Sequence, residues 1–68
     1  MIEIEVFEGA DDRKLLMVGT FACLPRAGEY LAVEVEGYFR YFDVVEVWHR
    51  KDESADAFRP CIRVKLDD

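Results

Sequence analysis

The chain has 68 residues, of which 51% are apolar, 13% aromatic and 35% charged. That composition belongs to a folded domain, and the length allows one small domain only. A chain this short buries about 60% of the surface it exposes when unfolded, which excludes a nucleotide fold or an elaborate catalytic centre. Nine basic and fifteen acidic residues leave a net charge of −6, with the bases scattered among acids. Phosphate neutralisation by a basic stripe carries most nucleic-acid affinity, so the balance points away from that class.

The pattern along the chain is alternation with period two, rich in β-branched and aromatic residues. In Met1–Phe7, Ile2, Ile4 and Val6 fall on one face while Glu3 and Glu5 fall on the other. That is a half-buried strand. Glu8 to Asp12 supplies turn chemistry, with Gly9 free to take positive φ. Leu15–Ala22 is almost wholly apolar and reads as a strand returning in a hairpin. A short helix over 11–17, behind an acidic first turn, is the alternative.

Leu24-Pro25-Arg26-Ala27-Gly28-Glu29 is a turn, since Pro25 fixes φ and removes a donor. Tyr30–Glu36 then alternates, with Leu31, Val33 and Val35 on one side and Ala32, Glu34 and Glu36 on the other. Gly37 marks a tight turn into a long extended segment, Tyr38–His49. The phase of that segment slips. Phe42 and Val44 share a face that Val47 and His49 continue only if a residue bulges out near Val45-Glu46. Arg50–Ala57 is polar and aperiodic, so it reads as a loop with room for one helical turn at most. Pro60, Ile62, Val64 and Leu66 alternate with Cys61, Arg63, Lys65 and Asp67 in a last strand.

Five strands in one domain give an all-β fold, a small SH3-like barrel, because closure hides the sheet edges that a single open sheet this small could not protect. An OB-like barrel and an α+β arrangement built on the 11–17 helix are the alternatives. The Leu24–Glu29 turn, Gly37, Phe42-Asp43-Val44 and Val47-Trp48-His49 together resemble a pattern in short bacterial proteins of unknown function. There a Leu-Pro-Arg-x-Gly-acid turn precedes a strand, a glycine, and an aromatic-x-Val-x-x-Val-x-His strand. The resemblance spans about the C-terminal two-thirds of the chain. It implies a small β-barrel and carries over no activity.

Few residues suggest chemistry. Cys23 and Cys61 stand 38 positions apart, which is neither a redox CxxC motif nor half of a zinc site. Both read as small apolar fillers in a reduced, cytoplasmic protein. Cys23 and His49 form a nucleophile and base only if folding joins them, so an enzyme is not expected. The acids read as a solvated face, and no metal, cofactor or membrane span is expected.

The aromatics are more telling. Phe39 and Tyr41 take the phase opposite to Phe42, and Trp48 lies opposite His49 beyond the bulge. A lone barrel cannot cover both faces of one strand. Phe39, Tyr41 and Trp48, with Arg26 and Glu29 at the rim, are therefore expected to form an interaction surface. The simplest partner is a second copy, giving a homodimer through the Tyr38–Trp48 strand. A nucleic-acid surface built from Arg40, Arg63, Lys65 and the aromatics is the alternative, against which the net charge argues.

Overall fold

A computed structural model describes residues 1–9, 14–54 and 56–67, and among these every regular element is a strand. The strands are β1 (Ile2–Glu8), β2 (Leu15–Phe21), β3 (Tyr30–Val35), β4 (Tyr38–Lys51) and β5 (Phe58–Asp67). They form one strongly curled sheet, a half-barrel, in the order β2-β1-β5-β4-β3. The expected all-β small-barrel class is the one adopted. The helix alternative does not survive, because Leu15–Met17 are strand residues paired with β1. Asp11, Asp12 and Arg13, where that helix would begin, lie outside the described residues. Pairing along β1 outweighs the weak helix preference of a short segment.

β1 and β2 are antiparallel, whereas β1 and β5 run parallel with Glu5 beside Cys61 and Val6 beside Ile62. The first and last strands thus form the middle of the sheet. β4 lies antiparallel to both β5 and β3. Its register against β5 shifts between Val44 and Glu46, the site where the alternation slips. The extra residue there is Val45, which stays exposed. β3 and β4 join through Glu36-Gly37, whose φ angles of 52° and 85° define a type I′ turn. Glycine suits the second position because that conformation costs it no steric strain.

β4 runs two residues beyond the expected strand, since Arg50 pairs with Arg59 and Lys51 with Phe58. Two arginines facing each other across a ladder repel unless acids intervene, and here Glu5 and Asp52 contact both. The Glu5 part of that neutralisation comes from a distant strand and is invisible in the local pattern.

The concave face holds the core: Ile4, Val6, Phe42, Val44, Ile62 and Val64, with Ile2, Met17, Phe21, Leu31, Val33, Val47 and Leu66 packed around it. Every one of these apart from the bulge-shifted Val47 follows the alternation of its strand from the first residue. The barrel does not close. β2 and β3 remain edges, and the radius of gyration of 12.3 Å exceeds the roughly 11 Å of a closed globule of this length. The stagger along β4 explains the opening: β3 pairs with Tyr38–Asp43, β5 with Tyr41–Lys51. No helix among the described residues is long and apolar enough to cross a membrane.

Candidate interaction surface

The convex face carries the side chains of opposite phase, and it divides into two halves along β4. Around the C-terminal half, parity places Glu5 and Phe7 of β1, Arg59, Cys61 and Arg63 of β5, and Glu46, Trp48 and Arg50 of β4 together. Phe7 is only 5% exposed although it lies outside the main core. Its ring packs on Trp48 at a centroid distance of 5.6 Å, tilted by 37°. The Arg63 guanidinium sits 5.0 Å above the Trp48 ring and also pairs with Glu46. Stacking on an aromatic face while paired to a carboxylate is an arrangement the planar guanidinium favours.

Beside this aromatic pair lies an ion cluster. Arg50 Nη2 donates to both oxygens of Glu5, at 2.8 and 3.0 Å, and Arg59 Nη1 donates to one at 3.3 Å. Asp52 contacts the same two arginines from the other side, at 3.7 and 3.4 Å. The Cys61 thiol, fully buried beneath them, donates to Glu5 Oε1 at 3.7 Å. Burial first, and the Glu5 carboxylate second, raise its pKa above the ordinary value, while Arg50 and Arg59 pull less strongly downward. Such a thiol stays protonated at neutral pH and is a poor nucleophile. This half of the convex face is a second, smaller core roofed by arginines.

The N-terminal half of the same strand has no such roof. Register places Tyr30, Ala32 and Glu34 of β3 beside Asp43, Tyr41 and Phe39 of β4. Tyr30 and Tyr41 meet edge to face at 5.8 Å, yet Tyr30 stays 64% exposed, Phe39 56% and Tyr41 45%. Tyr38, at the hairpin tip on the concave side, is 78% exposed. Across the described residues, eight apolar side chains are buried and eleven large ones exposed. Of the exposed ones, Tyr30, Phe39 and Tyr41 lie together on the convex face of the β3–β4 hairpin.

The structure separates the sequence candidates. Phe39 and Tyr41 lie together on the open half. Trp48 is half-buried in the roofed half, held by Phe7 and Arg63. Arg26 and Glu29 pair with each other, Nε to Oε2 at 3.3 Å, and Glu29 also accepts from the Arg26 backbone N–H at 3.2 Å. Their charges therefore serve to hold the turn. The three cations of the nucleic-acid alternative divide between faces. Arg63 is occupied on the convex side, Lys65 stands opposite Asp43, and Arg40 lines a concave groove. That groove, of 190 Å³, is walled by Leu16, Met17, Val33, Val35 and Phe42 and lies in the opening between β2 and β3.

Cys61 is the buried filler the sequence suggests, but Cys23 is exposed, because it lies beyond β2 where no strand covers it. No hydrogen bond joins Cys23 to His49, which pairs with Pro60 near the far end of β4. Among the described residues no group of three His, Cys, Asp or Glu side chains stands close enough to hold a metal ion. What sequence reasoning missed is the Glu5–Cys61–Arg50–Arg59 cluster and Phe7 beneath it. The parallel pairing of β1 with β5 that assembles them leaves no local signal. No protein-family model, curated protein or solved structure matches the chain.

Proposed function

We propose that this chain is a non-enzymatic, SH3-like small-barrel module that works by binding protein, in the first place a second copy of itself, through the β3–β4 hairpin. The observation that carries this reading is the unequal treatment of one strand. β4 has a built cover over its C-terminal half and exposed aromatics at its N-terminal half, where Tyr30, Phe39 and Tyr41 cluster. Aromatics of this kind, flanked by Glu34 and Asp43, match the make-up of an interface centre and rim. Two free thiols, neither set for catalysis, agree with a reducing, cytoplasmic setting.

Light scattering coupled to size exclusion over a range of concentrations tests the proposal. A mass rising towards twice that of one chain supports it, with Phe39→Asp plus Tyr41→Asp holding the protein monomeric and its circular dichroism unchanged. A clean monomer at high concentration overturns it. Salt sharpens the outcome, because two copies at −6 each repel and added salt screens that repulsion. Self-association should therefore tighten with salt, opposite to a phosphate-binding surface, which weakens.

A further inference from the structure

Resting on that self-associating reading, the geometry points to a specific contact: two copies join edge to edge through β3, antiparallel, across a two-fold axis at Ala32. The backbone groups that β3 leaves free of β4 set the contact. In a two-residue I′ hairpin the flanking residues, Val35 and Tyr38, form a hydrogen-bonded pair. Alternation then turns the N–H and C=O of Leu31, Val33 and Val35 toward β4. The parity is confirmed at the other end, where Val44 N–H donates to the Glu29 carbonyl at 2.8 Å. The backbone groups of Tyr30, Ala32 and Glu34 therefore point out of the sheet, where no strand lies.

Those three residues are spaced for pairing with themselves. With the axis at Ala32, Ala32 faces Ala32 of the second copy, and Tyr30 faces Glu34 in both directions. All three are then hydrogen-bonded pairs. On the convex face this sets the Tyr30 hydroxyl, a donor, beside the Glu34 carboxylate, an acceptor. On the concave face it sets Leu31 beside Val33, so the two apolar linings run on into each other. An axis at Glu34 would instead bring two carboxylates together, which costs rather than stabilises. The chemistry of the edge thus favours a second copy paired at Ala32 over one paired at Glu34.

β3 has no proline, lysine or bulge, and Glu34 is its one charged residue. β2, the other edge, is irregular, with a register shift against β1 at Val6/Phe7 and Gly19 in mid-strand under the Phe21 ring. A β2-to-β3 contact between copies would be head-to-tail and leave one edge of each kind, open to further copies, whereas the β3 pair is completed by its two-fold axis and leaves only β2 at its two ends. Its product is one continuous ten-stranded sheet made of two half-barrels.

Cysteine cross-linking tests the register in a Cys23→Ser background, where the remaining native thiol is the buried Cys61. With a short bis-maleimide, which spans the roughly 5.5 Å between the Cα atoms of a hydrogen-bonded pair, Ala32→Cys alone should cross-link at least about tenfold faster than Glu34→Cys alone or Thr20→Cys on β2. Mixing Tyr30→Cys with Glu34→Cys should cross-link faster than either by itself. In parallel, Ala32→Pro removes one outward N–H per copy and should weaken association about tenfold or more. A dimer that cross-links no faster at Ala32 than at Thr20 overturns this register and leaves the module reading standing, and so does one that Phe39→Asp plus Tyr41→Asp, whose rings lie one strand inboard of the edge, dissociates while Ala32→Pro does not. A chain that is monomeric throughout overturns both.

Discussion

The two halves of β4 carry similar side chains on the same convex face and meet opposite fates. At the C-terminal half, Trp48 is packed on Phe7 and roofed by Arg63. At the N-terminal half, Phe39 and Tyr41 stand exposed. Neighbours make the difference. The C-terminal half runs beside β5, which runs beside β1, so three strands deliver Phe7, Glu5 and long arginine stems over one another. The N-terminal half has β3 on its far side, which offers Ala32 and Glu34, too small or too polar to cover a ring, and Tyr30, whose edge meets Tyr41 but which stays exposed itself. Aromatic content alone therefore does not mark an interface; the length of the side chains across the ladder decides.

The widest gap between the halves should appear on truncating one ring in each. Phe7→Ala is expected to cost about 3–5 kcal/mol in urea unfolding, and Tyr41→Ala, measured at concentrations where the chain is monomeric, less than about 1 kcal/mol. Similar losses at the two positions would erase the distinction. Next in size, Glu5→Gln leaves Arg50 and Arg59 facing each other with Asp52 alone between them. A loss of about 1–3 kcal/mol is expected, and Asp52→Asn added to it should cost more than the two changes summed separately. Additive losses would show that the arginines do not act as one cluster.

A third comparison uses pH. The Cys61 thiol has its pKa raised in the fold, by burial first and by Glu5 second, above its ordinary value of 9.0. The unfolded chain therefore loses that proton first as pH rises. Stability from this group is full below about pH 9 and declines as pH climbs towards the folded value. Unfolding midpoints between pH 7 and 10.5 should fall more steeply for the native chain than for Cys61→Ala, and parallel curves would refute the assignment. The smallest effect belongs to the turn: Arg26→Ala breaks an exposed pair and should shift stability by under about 1 kcal/mol, read by thermal melting, with dimerisation unchanged.

Much of the fold was legible in the residues, because the concave core is a product of simple alternation. Ile2, Ile4 and Val6, or Ile62, Val64 and Leu66, announce their face without help from other strands. Even the bulge near Val45 shows itself as a slip of phase. The convex cluster was not legible, since Glu5 meets Arg50 and Cys61 only when strands from the two ends of the chain come together. Arg50 and Lys51 look like loop for the same reason. As for the candidate surface, the phase of Phe39 and Tyr41 placed them on the convex side, while the engagement of Trp48 depended on Phe7, a residue of opposite phase to its own strand's core.

One pairing bears on how the chain reaches this state. The centre of the sheet is the parallel contact of β1 with β5, with Glu5 beside Cys61 and Val6 beside Ile62. Those partners lie more than fifty positions apart, so during synthesis the β1–β2 hairpin emerges with Ile4 and Val6 bare and waits for the last strand to be made. Closing so long a loop before any core contact rewards it makes folding slow for a domain of this size. Through that interval the surplus of negative charge opposes sticking between neighbouring chains.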